Sequence, residues 1–127
     1  MRIEKIVKDG QAAAVVISAE KVIWDTQSAL DVMMTIQYET GCSRFALAKE
    51  QLAEAFFDLR TGLAVEILQK FVNYRMKVAI YGALTADIRR ALGDLIEASH
   101  QERMVCLADD QESAIAWLLQ SSGVPGT

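Results

Sequence analysis

The chain has 127 residues, 52% of them hydrophobic, and its formal net charge at pH 7 is −4. This length predicts one domain. The acidic balance and the dispersed Lys and Arg residues argue against a nucleic-acid surface, because such surfaces cluster basic residues against phosphates. No apolar run reaches the ~20 residues of a membrane span, and no segment is a basic amphipathic helix. We therefore expect a cytoplasmic protein with neither a nucleic-acid nor a membrane partner.

The hydrophobic fraction is high for a small domain. Either the core is unusually full, or a partner covers part of the apolar surface. The simplest such partner is a second copy of the chain, so we expect a protein partner and keep a homodimer as one form of it.

Residues 2–18 predict a β-hairpin. Its two segments are joined by Asp9-Gly10, a pair that favours two-residue hairpin turns. The first segment alternates loosely between apolar and charged residues, whereas residues 12–17 are wholly apolar. We expect the first strand to be half exposed and the second to be buried on both faces.

A helix is predicted after the hairpin and a short extended piece at residues 20–24. Asp25, Thr26 or Ser28 could cap it, Ser28 and Asp31 resemble a capping box, and Gly41 is the expected stop. The predicted buried stripe consists of Ala29, Leu30, Val32, Met33, Met34 and Ile36.

Three further strand–helix pairs follow. Residues 50–58, after the first of these strands, predict a short helix or an irregular loop. Residues 121–127 predict a flexible C-terminal tail, which leaves residues 1–120 as a single domain. The predicted strands span residues 44–49, 76–81 and 103–107, and the helices begin near Thr61, Thr85 and Asp109.

The order β-β-α-β-α-β-α-β-α predicts the fold class. Strands that alternate with helices form a mostly parallel sheet with helices packed on it. The opening hairpin adds an antiparallel strand. The sequence therefore predicts an α/β fold with a mixed sheet.

Side chains with obvious catalytic chemistry are scarce. His100 lies at the polar end of a helix, where a solvated histidine is the alternative to a catalytic one. Cys106 lies in an apolar strand and is expected in the core, whereas Cys42 follows Gly41 in a loop that could expose its thiol. These residues have no metal-ligand spacing. We expect no catalytic residue, no metal and no cofactor.

The segment before the clearest amphipathic helix concentrates the candidate site. Adjacent residues of an extended segment point to opposite sides, so one of Phe56 and Phe57 could cover the core while the other faces a partner. Packing of both rings in the core is the alternative. Thr61 is either a plain helix N-cap or part of a helix-end anion site. The candidate ligand- or partner-binding residues are Glu54, Phe56, Phe57, Asp58, Arg60, Thr61 and Gly62.

The run from Phe56 to Gly82 reads FFDLRTGLAVEILQKFVNYRMKVAIYG. It resembles the bacterial family catalogued as domain of unknown function 4180. The resemblance extends from Arg2 to about Leu119 and includes the hairpin and the first helix. This family implies no established activity.

A more distant similarity is to the STAS domains of sulfate transporters and anti-sigma-factor antagonists. In those domains an Asp-Ser-Ser-Gly-Leu motif opens a helix after a strand, and its second Ser accepts phosphate from a partner kinase. Here Thr61 precedes Gly62-Leu63 in the place of that Ser, and Asp58 stands near the place of the Asp, with two residues, Leu59 and Arg60, between it and Thr61. The similarity implies a STAS-like α/β fold and makes Thr61 a candidate phosphorylation site.

We therefore expect a non-enzymatic regulatory or protein-interaction module whose partner-facing edge contains Thr61. The alternative is a small-molecule-binding protein or enzyme with a pocket at the carboxyl ends of the strands, where ligands collect in open α/β sheets. Its polar residues would be Glu54, Asp58, Arg60 and Thr61, with Cys42 as a further candidate. A purely structural homodimer is a third interpretation.

Overall fold

The computed structural model describes residues 1–120, which form a five-stranded sheet and four α-helices. The strands are β1 (Arg2–Lys8), β2 (Gln11–Ile17), β3 (Arg44–Ala48), β4 (Lys77–Tyr81) and β5 (Val105–Ala108). The helices are α1 (Thr26–Thr40), α2 (Leu63–Asn73), α3 (Ala86–Ala98) and α4 (Gln111–Leu118). The predicted tail over residues 121–127 lies outside the described residues.

The strands follow chain order across the sheet, β1-β2-β3-β4-β5. β1 is antiparallel to β2, and every other neighbouring pair is parallel. The predicted α/β class and element order are confirmed. The architecture is consistent with a STAS-like fold.

The predicted hairpin is confirmed. Asp9 and Gly10 have φ angles of 53° and 80°. Both angles are positive, as a type I′ turn requires, and Asp and Gly reach this region at low cost. β1 is largely exposed at the edge of the sheet, whereas residues 13–16 of β2 are buried.

The crossover helices α1, α2 and α3 cover one face of the sheet. The chain advances one strand at a time, so crossovers of the same hand place successive helices on the same side. Phe45 of β3 and Phe71 of α2 meet edge to face in this core, with ring centroids 5.3 Å apart. The main hydrophobic core therefore lies between the sheet and these three helices.

The opposite face carries α4, which packs against β3, β4 and β5. The floor under the helix is made of small side chains, because Ala46 and Ala79 are neighbours in register and both are fully buried. Ala114 of α4 is fully buried as well. Arg44 donates a hydrogen bond of 2.9 Å to the carbonyl oxygen of Leu118, which satisfies the end of this short helix.

The start of α1 confirms one of the three predicted caps and contradicts the predicted capping box. Asp25 is the N-cap, and its carboxylate accepts a 2.7 Å hydrogen bond from the Ser28 backbone N–H, while the Ser28 hydroxyl accepts one from the Asp25 N–H. The predicted Ser28–Asp31 capping box is therefore wrong, because Ser28 already lies in the first turn. Met34, predicted to be buried, is exposed. Gly41 ends the helix with φ 71°, as predicted.

The predicted N-cap of α3 is confirmed, and the predicted N-cap of α4 is wrong by one residue. Thr85 caps α3 by accepting a hydrogen bond from the Ile88 N–H at 3.2 Å, as predicted. The N-cap of α4 is Asp110, which accepts from the Ser113 N–H at 2.8 Å, and not Asp109. β5 ends one residue later than predicted and thereby shifts the cap. Within residues 1–120, no helix combines the length and apolar character that crossing a membrane demands.

Candidate functional site

The connection from β3 to α2, residues 49–62, is the longest in the described chain. It contains three short 3-10 turns, Lys49–Gln51, Glu54–Phe57 and Leu59–Thr61. Such connections usually contain roughly 2–6 residues, and longer ones are commonly functional. The prediction of a short helix or irregular loop at residues 50–58 agrees with these turns.

Gln51 fixes the start of the connection to the sheet. Its side chain is buried, and its Oε1 accepts a 3.0 Å hydrogen bond from the Ala48 N–H. Its Nε2 donates to the carbonyl oxygens of Val16 and Ser18 at 3.0 and 3.2 Å. One side chain thus ties the carboxyl end of β3 to that of β2.

A single parallel bridge between Ile23 and Leu52 adds a second tie. The Ala53 N–H donates to the Ile23 carbonyl oxygen at 2.8 Å. The extended piece predicted at residues 20–24 is reduced to this bridge. Both side chains of the bridge are fully buried, so the connection is attached to the core at this point.

Phe56 and Phe57 have different environments. Phe56 is fully buried in the main core, and Phe57 is half-buried at its border. The two rings pack edge to face with centroids 5.1 Å apart. Phe56 therefore covers the core while part of Phe57 is accessible, although both rings lie on a 3-10 turn and not on the extended segment from which the prediction was argued. That Phe57 faces a partner stays a prediction.

Asp58 and Arg60 form a two-point ion pair. Oδ1 and Oδ2 of Asp58 accept hydrogen bonds from Nε and Nη2 of Arg60, both at 2.9 Å. Oδ1 also accepts from the Arg60 backbone N–H at 3.1 Å. These hydrogen bonds from Arg60 lower the pKa of the Asp58 carboxyl and raise the pKa of Arg60.

Thr61 is exposed, but its hydroxyl is engaged. The Oγ1 atom lies 2.8 Å from the carbonyl oxygens of both Ala55 and Asp58, and it accepts a hydrogen bond from the Leu63 N–H at 3.2 Å. The predicted N-cap role is wrong, because Thr61 ends a 3-10 turn and Gly62 is the N-cap of α2. Gly62 has φ 76°, a left-handed conformation that joins the two helical segments and that glycine adopts without penalty.

A cleft of about 410 Å³ opens beside this connection. It lies at the carboxyl ends of β2, β3 and β4, because its walls come from the three segments that follow those strands. Glu54 and Asp58 line it, as predicted for a pocket in this place, and Phe57 lines it as well. Phe56 lies in the core, and Arg60, Thr61 and Gly62 are not part of the lining. The complete lining is Lys21, Lys49, Glu50, Leu52, Glu54, Phe57, Asp58, Leu84 and Ile88.

The lysines of the cleft are held by backbone carbonyls. Nζ of Lys21 donates to the carbonyl oxygen of Leu52 at 3.1 Å, and Nζ of Lys49 donates to that of Ala83 at 2.6 Å. The Lys49 side chain also lies against Gly82, where an added Cβ would be 2.9 Å from its Cγ. Because Gly82 has no side chain, the Lys49 side chain can pass over it from the end of β3 to the end of β4.

The candidate site residues did not include six others that line the cleft, Lys21, Lys49, Glu50, Leu52, Leu84 and Ile88. Each lies within a few residues of a predicted strand end or helix start. The rule that ligands collect at the carboxyl ends of parallel strands would have drawn attention to them. These residues form no sequence motif. They lie close together only because the strands that precede them are neighbours in the sheet.

The remaining candidates lie away from the cleft. His100 is exposed after α3, in agreement with a solvated helix-end residue. The interpretation of Cys42 as an exposed thiol is wrong, because Cys42 is 4% exposed, and it precedes β3, at the opposite end of the strands from the cleft. Burial raises the pKa of the Cys106 thiol. Among residues 1–120, no group of three or more His, Cys, Asp or Glu residues is placed to hold a metal.

Comparisons with known proteins give one match. The family model described as Domain of unknown function (DUF4180) matches residues 8–118. Neither the curated proteins nor the solved structures contain a significant match. The match covers most of the chain and includes both the cleft and the Phe56–Gly82 run that suggested the family. The chain belongs to the DUF4180 family.

Proposed function

We propose that the protein is a non-enzymatic regulatory or protein-interaction module, and that residues 54–62 form its partner-facing edge. The observation that carries this proposal is the anchoring of an unusually long connection. Gln51 and Phe56 fix it to the sheet and core, while Glu54, Arg60 and Thr61 remain exposed. A fixed backbone with exposed polar side chains loses little conformational entropy when a partner binds.

The exposed Thr61 gives this edge a means of regulation. Its hydroxyl donates to a carbonyl of the turn, so phosphorylation would remove that donor and bring a phosphate close to the Asp58 and Ala55 carbonyl oxygens. The added charge would also compete with Asp58 for Arg60. Phosphorylation of Thr61 would therefore disrupt the turn and change the surface that the partner contacts.

The test compares proteins retained from an extract of native cells by immobilised wild-type chain and by variants. We expect a protein bound by wild type to be lost with Arg60→Glu and weakened with Thr61→Glu. Arg103→Glu is the matched control, because Arg103 is exposed at the opposite end of the strands. Identical retention by all four proteins would refute the proposed edge. If mass spectrometry of the protein from native cells finds no phosphate on the peptide that contains Thr61, the proposed regulation by phosphorylation is refuted.

A cytoplasmic location is part of this proposal. Cys42 and Cys106 are both free thiols, and the described structure needs no disulfide for its core. Reduced thiols are typical of proteins in the cytosol.

A second candidate function is small-molecule binding, with or without catalysis. The observation that favours it is the cleft of about 410 Å³ at the carboxyl ends of β2, β3 and β4. Ligand pockets in proteins commonly measure ≈ 300–1,000 Å³ and have mostly apolar walls with a few polar groups. A thermal-shift screen of metabolites tests this function, and a screen in which no compound raises Tm would count against it.

A further inference from the structure

The floor of the cleft is apolar. Leu52 is fully buried beneath it, and the partly exposed side chains of Phe57, Leu84 and Ile88 form the accessible surface. These residues come from the β3–α2 connection, the β4–α3 connection and the first turn of α3. A compact apolar group that settles on this floor would cover the exposed edge of Phe57.

The two ammonium groups of the cleft have hydrogen-bond donors to spare. An ammonium carries three N–H donors. Lys21 uses two, to the carbonyl oxygens of Leu52 and Glu50 at 3.1 and 3.4 Å, and Lys49 uses one, to Ala83. The carbonyls hold both cations beside the floor, and each keeps at least one donor for a ligand.

The carboxylates of the cleft divide into two groups. Asp58 is paired with Arg60. Glu50 and Glu54, in contrast, receive no side-chain hydrogen bond and form no ion pair within residues 1–120. Their acceptors are therefore free, and they share the cleft with ammonium groups that they do not neutralise.

We propose that the cleft binds a free α-amino acid with an apolar side chain. This inference rests on the second candidate function, ligand binding in the cleft. The ligand carboxylate would accept from Lys21 and Lys49, and its ammonium would donate to Glu50 and Glu54. Its side chain would lie on Phe57 and the apolar residues around it. A ligand with one charge would leave one set of these groups without a partner.

The test is isothermal titration calorimetry of the full chain with five compounds. L-Phenylalanine and L-leucine carry both charges and an apolar body, and we expect both to bind. Phenethylamine lacks the carboxylate, 3-phenylpropionate lacks the ammonium, and glycine lacks the body. We expect each of these three to bind roughly tenfold or more weakly than phenylalanine, because each loses one charge-assisted or apolar contact.

Two variants assign the charges. Lys49→Met should weaken the binding of phenylalanine and 3-phenylpropionate, which carry a carboxylate, and leave the affinity for phenethylamine unchanged. Glu54→Gln should weaken the binding of phenylalanine and phenethylamine, which carry an ammonium, and leave the affinity for 3-phenylpropionate unchanged. Lys5→Met and Glu102→Gln are the matched controls, because both residues are exposed and do not line the cleft. Circular dichroism would verify that each variant is folded.

The outcomes separate this inference from the function on which it rests. If phenethylamine or 3-phenylpropionate binds as tightly as phenylalanine, the zwitterion proposal is overturned while the cleft remains a ligand site. If neither amino acid binds but the metabolite screen yields a ligand sensitive to Glu54→Gln, the amino-acid class alone is wrong. If neither experiment yields a ligand, both proposals fail.

Discussion

Phe56 and Phe57 are identical neighbours, but they differ in burial and in what they contact. Phe56 is fully enclosed by the main core and holds the β3–α2 connection down, whereas Phe57 supplies part of the accessible cleft floor. The prediction of this division was argued from alternation in an extended segment, whereas residues 54–57 form a 3-10 turn, so the local reason given for it was wrong. Which ring would be buried could not be predicted, because the answer depends on where the connection meets α2.

We therefore expect unequal effects of truncating the two rings. Phe56→Ala should lower the free energy of unfolding by about 3–5 kcal/mol, since a fully buried aromatic ring is replaced by a cavity. Phe57→Ala should cost clearly less, because part of that ring is already in contact with water. Urea denaturation followed by circular dichroism measures both. Phe56→Leu and Phe57→Leu provide a milder pair if Phe56→Ala does not fold, and equal losses within either matched pair would contradict the assignment.

Thr61 marks a limit of residue-level prediction. Its position before Gly62 and an amphipathic run correctly indicated a helix start nearby. The cap itself was misplaced, because Thr61 completes a 3-10 turn and the left-handed Gly62 separates that turn from α2. A glycine that follows a turn is a known stop signal, so the sequence contained the necessary clue.

At the scale of elements, the strands and helices were more predictable than the segments between them. Ile67 and Phe71 of α2 are spaced by one helical turn and both are buried, so apolar periodicity alone located this helix. The β3–α2 connection has no such period. Its shape depends on long-range contacts such as those of Gln51 with β2, which no local pattern reports.

Gln51 gives an element-scale prediction. Gln51→Ala should lower the free energy of unfolding by about 1–3 kcal/mol, because the partly buried Ala48 N–H and the Val16 carbonyl oxygen both lose the Gln51 side chain as a hydrogen-bond partner. Hydrogen–deuterium exchange should increase in residues 49–57 more than in α2. Gln69→Ala is the control, since Gln69 is exposed on α2 and its side chain forms a hydrogen bond only with Asn73 within the described residues. Unchanged exchange in the connection would show that Gln51 does not anchor it.

At the scale of the whole molecule, α1 carries two neighbouring exposed apolar side chains. Met34 and Tyr38 are one helical turn apart on α1, and Tyr38 is 92% exposed. The edge strand β1, in contrast, carries Arg2, Glu4, Lys5 and Lys8, and such charges discourage edge-to-edge pairing. The homodimer expected from composition remains a prediction, and these features favour α1 over the sheet edge as its interface.

Sedimentation velocity tests that interface. We expect a concentration-dependent dimer for the wild type and a weaker dimer for Tyr38→Glu, because the substitution would bury a charge against apolar side chains. Val7→Glu is the matched control, since Val7 is exposed on β1. A monomer at micromolar concentrations would exclude the homodimer, and a dimer weakened only by Val7→Glu would place the contact on β1.

The agreement between strand order and chain order has a consequence for how the protein is made. Each strand from β2 to β5 pairs with the strand synthesised just before it, so its neighbour in the sheet is already present when it leaves the ribosome. The opening hairpin needs only a two-residue turn, and each later crossover adds one strand and one helix to a surface that already exists. The emerging chain can therefore grow its sheet in one direction, with β5 and α4 completing the core last.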